Sequence, residues 1–131
     1  MSGQKPKILA VDDENDLLLI VKTALSNEGY FVITATNGYD ALALAEDERP
    51  DLIILDIMMP EMSGFEVLQA LRQNEATERI PVIMLTGLSD REKIRDALSS
   101  GIDYYIVKPF ELNDLVSKVK LAISDSQDFR I

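Results

Sequence analysis

Four apolar residues, Leu52-Ile53-Ile54-Leu55, run without a break into Asp56, and Pro60 follows close behind. A short continuous apolar run bounded by a turn reads as a strand buried on both faces, the kind that belongs to a parallel sheet covered by helices. Pro60 has no backbone N–H to offer a neighbouring strand, so pairing stops before it. In open parallel sheets ligand chemistry collects outside the carboxyl ends of the strands, and Asp56 stands at such an end.

The same pattern recurs along the chain. After a polar tail, residues 1–6, Lys7-Ile8-Leu9-Ala10-Val11 forms a first strand ending in the acids Asp12-Asp13-Glu14-Asn15-Asp16. Asp13 or a neighbour is expected to cap the following helix, with Asp16 favourable near its positive end. Leu17, Ile20, Val21, Ala24 and Leu25 are expected on its inner face, and Gly29 ends it. Phe31–Ala35 is a second strand, more mixed in character and suited to a place nearer an edge. Asn37-Gly38 turns the chain into a helix carrying Ala41, Leu42, Leu44 and Ala45, closed by the charged run at 46–49 and by Pro50.

Beyond Asp56, Ser63 and Glu66 have the spacing of a capping box for a helix carrying Phe65, Leu68 and Leu71, and residues 73–79 read as a loop. Val82-Ile83-Met84-Leu85 is a fourth strand ending at Thr86-Gly87. Ser89 and Glu92 repeat the box spacing ahead of Ile94, Ala97 and Leu98, with Gly101 as the stop. Tyr104-Tyr105-Ile106-Val107 is a fifth strand ending at Lys108-Pro109. The last helix carries Leu112, Leu115, Val116, Val119 and Ile123, and residues 124–131 read as a polar tail or linker stub. Strand and helix alternate throughout, so the expected fold is α/β, a parallel sheet with helices on both faces, in one domain over residues 7–123.

Charge and composition narrow the function. With 13 Lys and Arg against 23 Asp and Glu, the net charge is -10, which argues against direct binding to nucleic acid or an anionic membrane. There is no Cys, hence no disulfide or thiolate chemistry, which suits a reducing cytoplasm. There is no His either, which excludes a Ser-His-Asp triad, a His metal ligand and a phosphohistidine on this chain. The apolar run from Ile8 to Val11 is too short for a signal-peptide core or a membrane span.

Strands one, three, four and five end in Asp12-Asp13, Asp56, Thr86 and Lys108, and in a parallel sheet those ends share one edge. Two carboxylates about 5 Å apart repel by roughly 3 kcal/mol at an effective dielectric near 20. Such a group of hard oxygens suits Mg2+, which binds through carboxylates, waters and a phosphate oxygen. Metal and lysine together could neutralise an incoming phosphoryl group while Asp56 attacks phosphorus to form an acyl phosphate.

Asp12-Asp13, Leu55-Asp56 with Met59-Pro60 and Gly64, Thr86-Gly87 and Lys108-Pro109-Phe110 occur in the order in which the response regulator receiver domains of two-component signalling carry them, and the chain resembles that family from about Lys7 to Ile123. The resemblance implies a flavodoxin-like sheet of strand order 2-1-3-4-5, an order for which members of this family are themselves standard examples. It implies that Asp56 takes a phosphoryl group from the phosphohistidine of a histidine kinase or phosphotransfer protein. Asp13, Asp56 and the backbone carbonyl of Met58 would bind Mg2+, with Asp12 acting through the water shell. Lys108 would contact a phosphoryl oxygen and the Thr86 hydroxyl would move to another, with Tyr105 as the aromatic switch. The Lys108-Pro109 peptide would be cis. The readout surface would be the helix after Thr86, the strand of Tyr104 and Tyr105, and the last helix, acting on a downstream output protein or an attached output domain.

The positions two after the aspartate and two after the threonine, which in the family govern attack by water, are the apolar Met58 and Leu88. The expectation is slow self-dephosphorylation. Tyr104 stands where the winged-helix subfamily tends to carry an acid for dimer salt bridges, which speaks against that dimer. The rival reading is an aspartyl-phosphate phosphatase or phosphotransferase, which would place a general acid at the position of Met58, and a thioether cannot transfer a proton. A flavodoxin would need a Ser, Thr or Gly-rich phosphate loop in place of Asp12-Asp13-Glu14, and a dinucleotide fold would need GxGxxG after the first strand.

Overall fold

The computed structural model describes residues 5–87, 92, 95 and 102–128. In chain order these contain β1 (Lys7–Val11), α1 (Asn15–Asn27), β2 (Phe31–Ala35), α2 (Gly38–Glu48), β3 (Leu52–Asp56), α3 (Gly64–Gln73), β4 (Val82–Gly87), β5 (Tyr104–Lys108) and α4 (Leu112–Asp128). The helix expected between Ser89 and Gly101 lies outside the described residues, except for Glu92 and Arg95, both helical. The five strands form one parallel sheet in the order β2-β1-β3-β4-β5.

The inner strands are buried almost throughout because each of their faces meets a helical layer. Leu9 and Val11 of β1, Ile53 and Leu55 of β3 and Val82 and Met84 of β4 join Ala41 and Ala45 of α2 and Val67, Leu68 and Leu71 of α3. Their sequence neighbours Ile8, Ala10, Leu52, Ile54, Ile83 and Leu85 point the other way, to Leu18, Val21 and Leu25 of α1 and Leu115, Val119, Ala122 and Ile123 of α4. Side chains alternate across a strand, so an unbroken apolar run is what two covered faces demand. Each such side chain contributes about 1.5–3 kcal/mol by leaving water. β2, whose burial is mixed, is an edge strand, and β5 is the other edge.

Local sequence sets several helix starts as expected. Ser63 and Glu66 form a reciprocal capping box at α3, and Asn37 caps α2 by accepting the Asp40 N–H at 2.9 Å. The start of α1 differs from expectation. Its cap position is Glu14, whose side chain makes no cap bond. Asp12, not Asp13, serves the turn, accepting the Glu14 N–H at 2.9 Å. The buried stripe of α1 is Leu18, Val21 and Leu25, while Ile20 is 49% exposed. In the uninterrupted run Leu17-Leu18-Leu19-Ile20-Val21 helical periodicity has no unique phase, and contact with the sheet chooses it.

Two further segments are more ordered than a linear reading suggests. Past α3, the buried Thr77 hydroxyl donates to the Leu71 carbonyl at 2.8 Å, and Arg72 donates to the carbonyls of Glu78 and Ile80 at 3.1 and 2.8 Å. The last helix runs beyond Ile123 to Asp128, and the Tyr104 hydroxyl donates to Asp125 in that final stretch.

Candidate functional site

Register brings the strand ends together. Val11 pairs with Leu55, Asp56 with Leu85, Thr86 with Val107 and Gly87 with Lys108, so Asp12, Asp56, Thr86 and Lys108 stand at one edge of the sheet. Asp12 and Asp56 are buried and Asp13 is exposed, and each offers a carboxylate oxygen within 4.8 Å of the others. Lys108 reaches into this group from β5. Its Nζ lies 2.8 Å from Asp12 Oδ2, 3.4 Å from Asp56 Oδ1 and 3.8 Å from Glu14 Oε1. The Met58 N–H donates to Asp56 Oδ1 at 3.2 Å.

Burial dominates the electrostatics. It pushes the Asp56 carboxyl up to about 6, the charge of Asp12 adds to the shift, and Lys108 and the Met58 N–H oppose it. For Lys108, burial works against the charged form, but the hydrogen bond to Asp12 and the charges of Asp56 and Asp12 outweigh it and raise its pKa. The three carboxylates outnumber the lysine, and their hard oxygens form a donor set that fits a small divalent cation such as Mg2+.

The remaining candidates occupy the rim. Thr86 is buried at the end of β4, its hydroxyl turned to the Gly87 carbonyl at 3.3 Å rather than to Asp56. Tyr105 is 39% exposed, facing outward from β5, and the Met58 side chain is 58% exposed. The Lys108-Pro109 bond is cis. Leu88 lies outside the described residues. Two participants escaped the linear reading: Glu14, which shares Lys108, and the Met58 N–H, which holds Asp56. Glu14 was visible only as part of an acidic run, and a backbone donor leaves no mark in residue identity.

A doubly wound parallel sheet of this order, with clustered carboxylates and Lys108 at its carboxyl edge, defines a flavodoxin-like domain of the receiver class. The chain belongs to the response regulator receiver domain family, which it matches over residues 8–120. It is similar to the probable transcriptional regulator ycf27 of Guillardia theta, 43% identical over 119 residues, covering 91% of this chain and 46% of the relative. It is also similar to the phosphate regulon transcriptional regulatory protein PhoB of Rhizobium meliloti, 41% identical over 115 residues, covering 88% of this chain and 51% of the relative. The chain thus spans about half the length of these curated relatives. Among solved structures, the chemotaxis protein CheY4 of Vibrio cholerae superposes with a TM-score of 0.85 at 36% identity, covering 91% of this chain and 99% of that one. Among the described residues no helix is long and apolar enough to cross a membrane.

Proposed function

We propose that Asp56 is the phosphoacceptor of a signalling switch, charged by the phosphohistidine of a histidine kinase or phosphotransfer protein in a Mg2+-dependent reaction. The observation that carries this reading is a buried carboxylate at the end of the central strand, with Lys108 3.4 Å away and two further acids beside it. Asp13, Asp56 and the Met58 carbonyl would hold Mg2+, with Asp12 acting through its water shell. Bound there, the ion supplies positive charge to the transferring phosphoryl oxygens. An Asp56 carboxylate oxygen attacks phosphorus, forming the O–P bond as the P–N bond breaks. The electron pair departs on the imidazole nitrogen, which takes a proton from solvent. Lys108 neutralises charge on the phosphoryl oxygens.

Phosphorylation adds about -1.5 to -2 charge units and three acceptor oxygens. Thr86, whose hydroxyl has among the described residues a neighbouring carbonyl as its partner, is a donor placed to turn toward them. In this reading Tyr105 follows, moving inward from its exposed position, and the population shifts by the difference in interaction energy between the two arrangements. The face that changes includes a groove of about 620 Å³ lined by Tyr105, Val107, Pro109, Phe110, Asp114 and Lys118. The curated relatives are named as transcriptional regulators, which supports an output in transcription through an attached domain or a downstream protein. The excess of acidic charge supports leaving DNA contact to that output, and the lack of Cys suits a place for this domain in the reducing cytoplasm.

The test is intact mass after incubation with acetyl phosphate, with and without Mg2+, for the wild-type chain and Asp56→Asn. A single phosphoryl adduct that needs both the metal and Asp56 is the expected result. An adduct that survives Asp56→Asn would place the acceptor elsewhere.

A further inference from the structure

We infer that Gly64 is a positioning residue for the acceptor loop, a role that rests on the proposed phosphoryl chemistry at Asp56. Gly64 opens α3, directly after the Ser63 cap. A Cβ at this position would lie 2.2 Å from the Asp56 carbonyl oxygen, 2.8 Å from the Ile57 Cα and 2.9 Å from the Asp56 carbonyl carbon. All of these are backbone atoms, so no side-chain rotation can make room. Gly64 is not among the positive-φ residues, and the requirement is therefore one of space rather than of backbone conformation.

The contact closes a clamp on the reactive loop. The Ile57 N–H donates to Leu85 of β4 at 3.0 Å, while the Ile57 carbonyl accepts the Gly64 N–H at 2.9 Å. Ile57 is thus held through its N–H by β4 and through its carbonyl by the first turn of α3, which packs Gly64 against the Asp56–Ile57 peptide. The next N–H, that of Met58, donates to the Asp56 carboxylate. Any side chain at 64 must drive α3 away or turn this peptide. With α3 anchored by its capping box, turning the peptide shifts both the Asp56 carboxylate and the Met58 carbonyl, two of the groups assigned to the metal.

Gly38 supplies a matched control. A Cβ there would also be crowded, at 2.7–2.9 Å, but the three nearest atoms, Sδ, Cγ and Cβ, belong to the Met62 side chain and none to the backbone of the acceptor loop. Mg2+ affinity of the wild type, Gly64→Ala and Gly38→Ala, read by amide chemical shifts, is compared with phosphorylation by acetyl phosphate and with thermal unfolding. The expected result is an affinity lower by about tenfold or more in Gly64→Ala and within about twofold of wild type in Gly38→Ala, beyond any difference in melting temperature. Gly64→Ala that loses stability yet keeps wild-type Mg2+ affinity would reduce the residue to a structural role and overturn the inference. Should Gly64→Ala not fold, the wild type decides: its Gly64 amide resonance is expected to shift on Mg2+ addition, and an unmoved resonance overturns the inference. Wild type that binds Mg2+ but takes no phosphoryl group would sink the function proposed for Asp56 while leaving the Gly64 comparison intact.

Discussion

Lys108 Nζ lies 2.8 Å from Asp12 Oδ2, closer than its 3.4 Å to Asp56, so the lysine is anchored first to the carboxylate of β1's end and only second to the proposed acceptor. Asp12 therefore does two opposing things to Asp56: it repels the acceptor's charge and it holds the cation that would offset that charge. Replacing Asp12 by Asn removes the repulsion and releases Lys108 toward Asp56. The Asp56 pKa is expected to fall from about 6 toward its ordinary 3.8, as followed by carbon NMR of the side-chain carboxyl without metal. An unchanged value would show that the two effects of Asp12 cancel, and a higher one that holding Lys108 outweighs the repulsion.

The raised pKa also carries a stability signature. With a folded-state pKa of about 6 against 3.8, the native state binds more protons than the unfolded chain between these values. The favourable contribution is complete below 3.8 and is lost as pH rises through about 6. Above that the ionised carboxylate, its Lys108 pairing included, weighs against folding by roughly 3 kcal/mol. Asp56→Asn is thus expected to stabilise the metal-free protein by about 1–3 kcal/mol near pH 7, with little gain near pH 4. Urea unfolding at both pH values checks this, and an equal gain at the two would remove the titration from the explanation.

Met58 presents an exposed thioether two residues beyond the acceptor, with no group able to orient water. Introducing an amide there with Met58→Asn is expected to shorten the lifetime of the phosphorylated state by about tenfold, measured by the decay of the phosphoryl adduct. A variant that held its phosphate as long as wild type, or longer, would contradict the expectation.

Tyr104 donates to Asp125 in the final stretch of α4, and this bond, with burial, pushes the phenol up to about 12. Tyr104→Phe is expected to cost about 0.5–1.5 kcal/mol and to speed amide exchange in residues 124–128. Exchange equal to that of the wild type would mean that the stretch is held by other contacts.

Much of this architecture could be read from the linear chain because its causes are local. Unbroken apolar runs identified β1, β3 and β4 as strands covered on both faces, and the Ser63–Glu66 spacing located the start of α3. Elsewhere the causes are not local. The face that α1 buries depends on the sheet beneath it, since its apolar run satisfies several helical phases equally. The turn after α3 is held by Arg72 and Thr77 bonding to backbone carbonyls, partners that residue identity does not reveal.

By itself, the sequence determined the alternation of strands and helices, the family motifs, and which acids and which lysine stand at strand ends, because periodicity and chain order carry that information directly. Only the tertiary structure decided that Lys108 leans on Asp12, that Glu14 shares it, and that Gly64 must yield its space to the backbone of Asp56. Charge pairing and steric contact depend on separation in space and on exclusion of water, and both come into being only when distant strand ends are brought to one edge of the sheet.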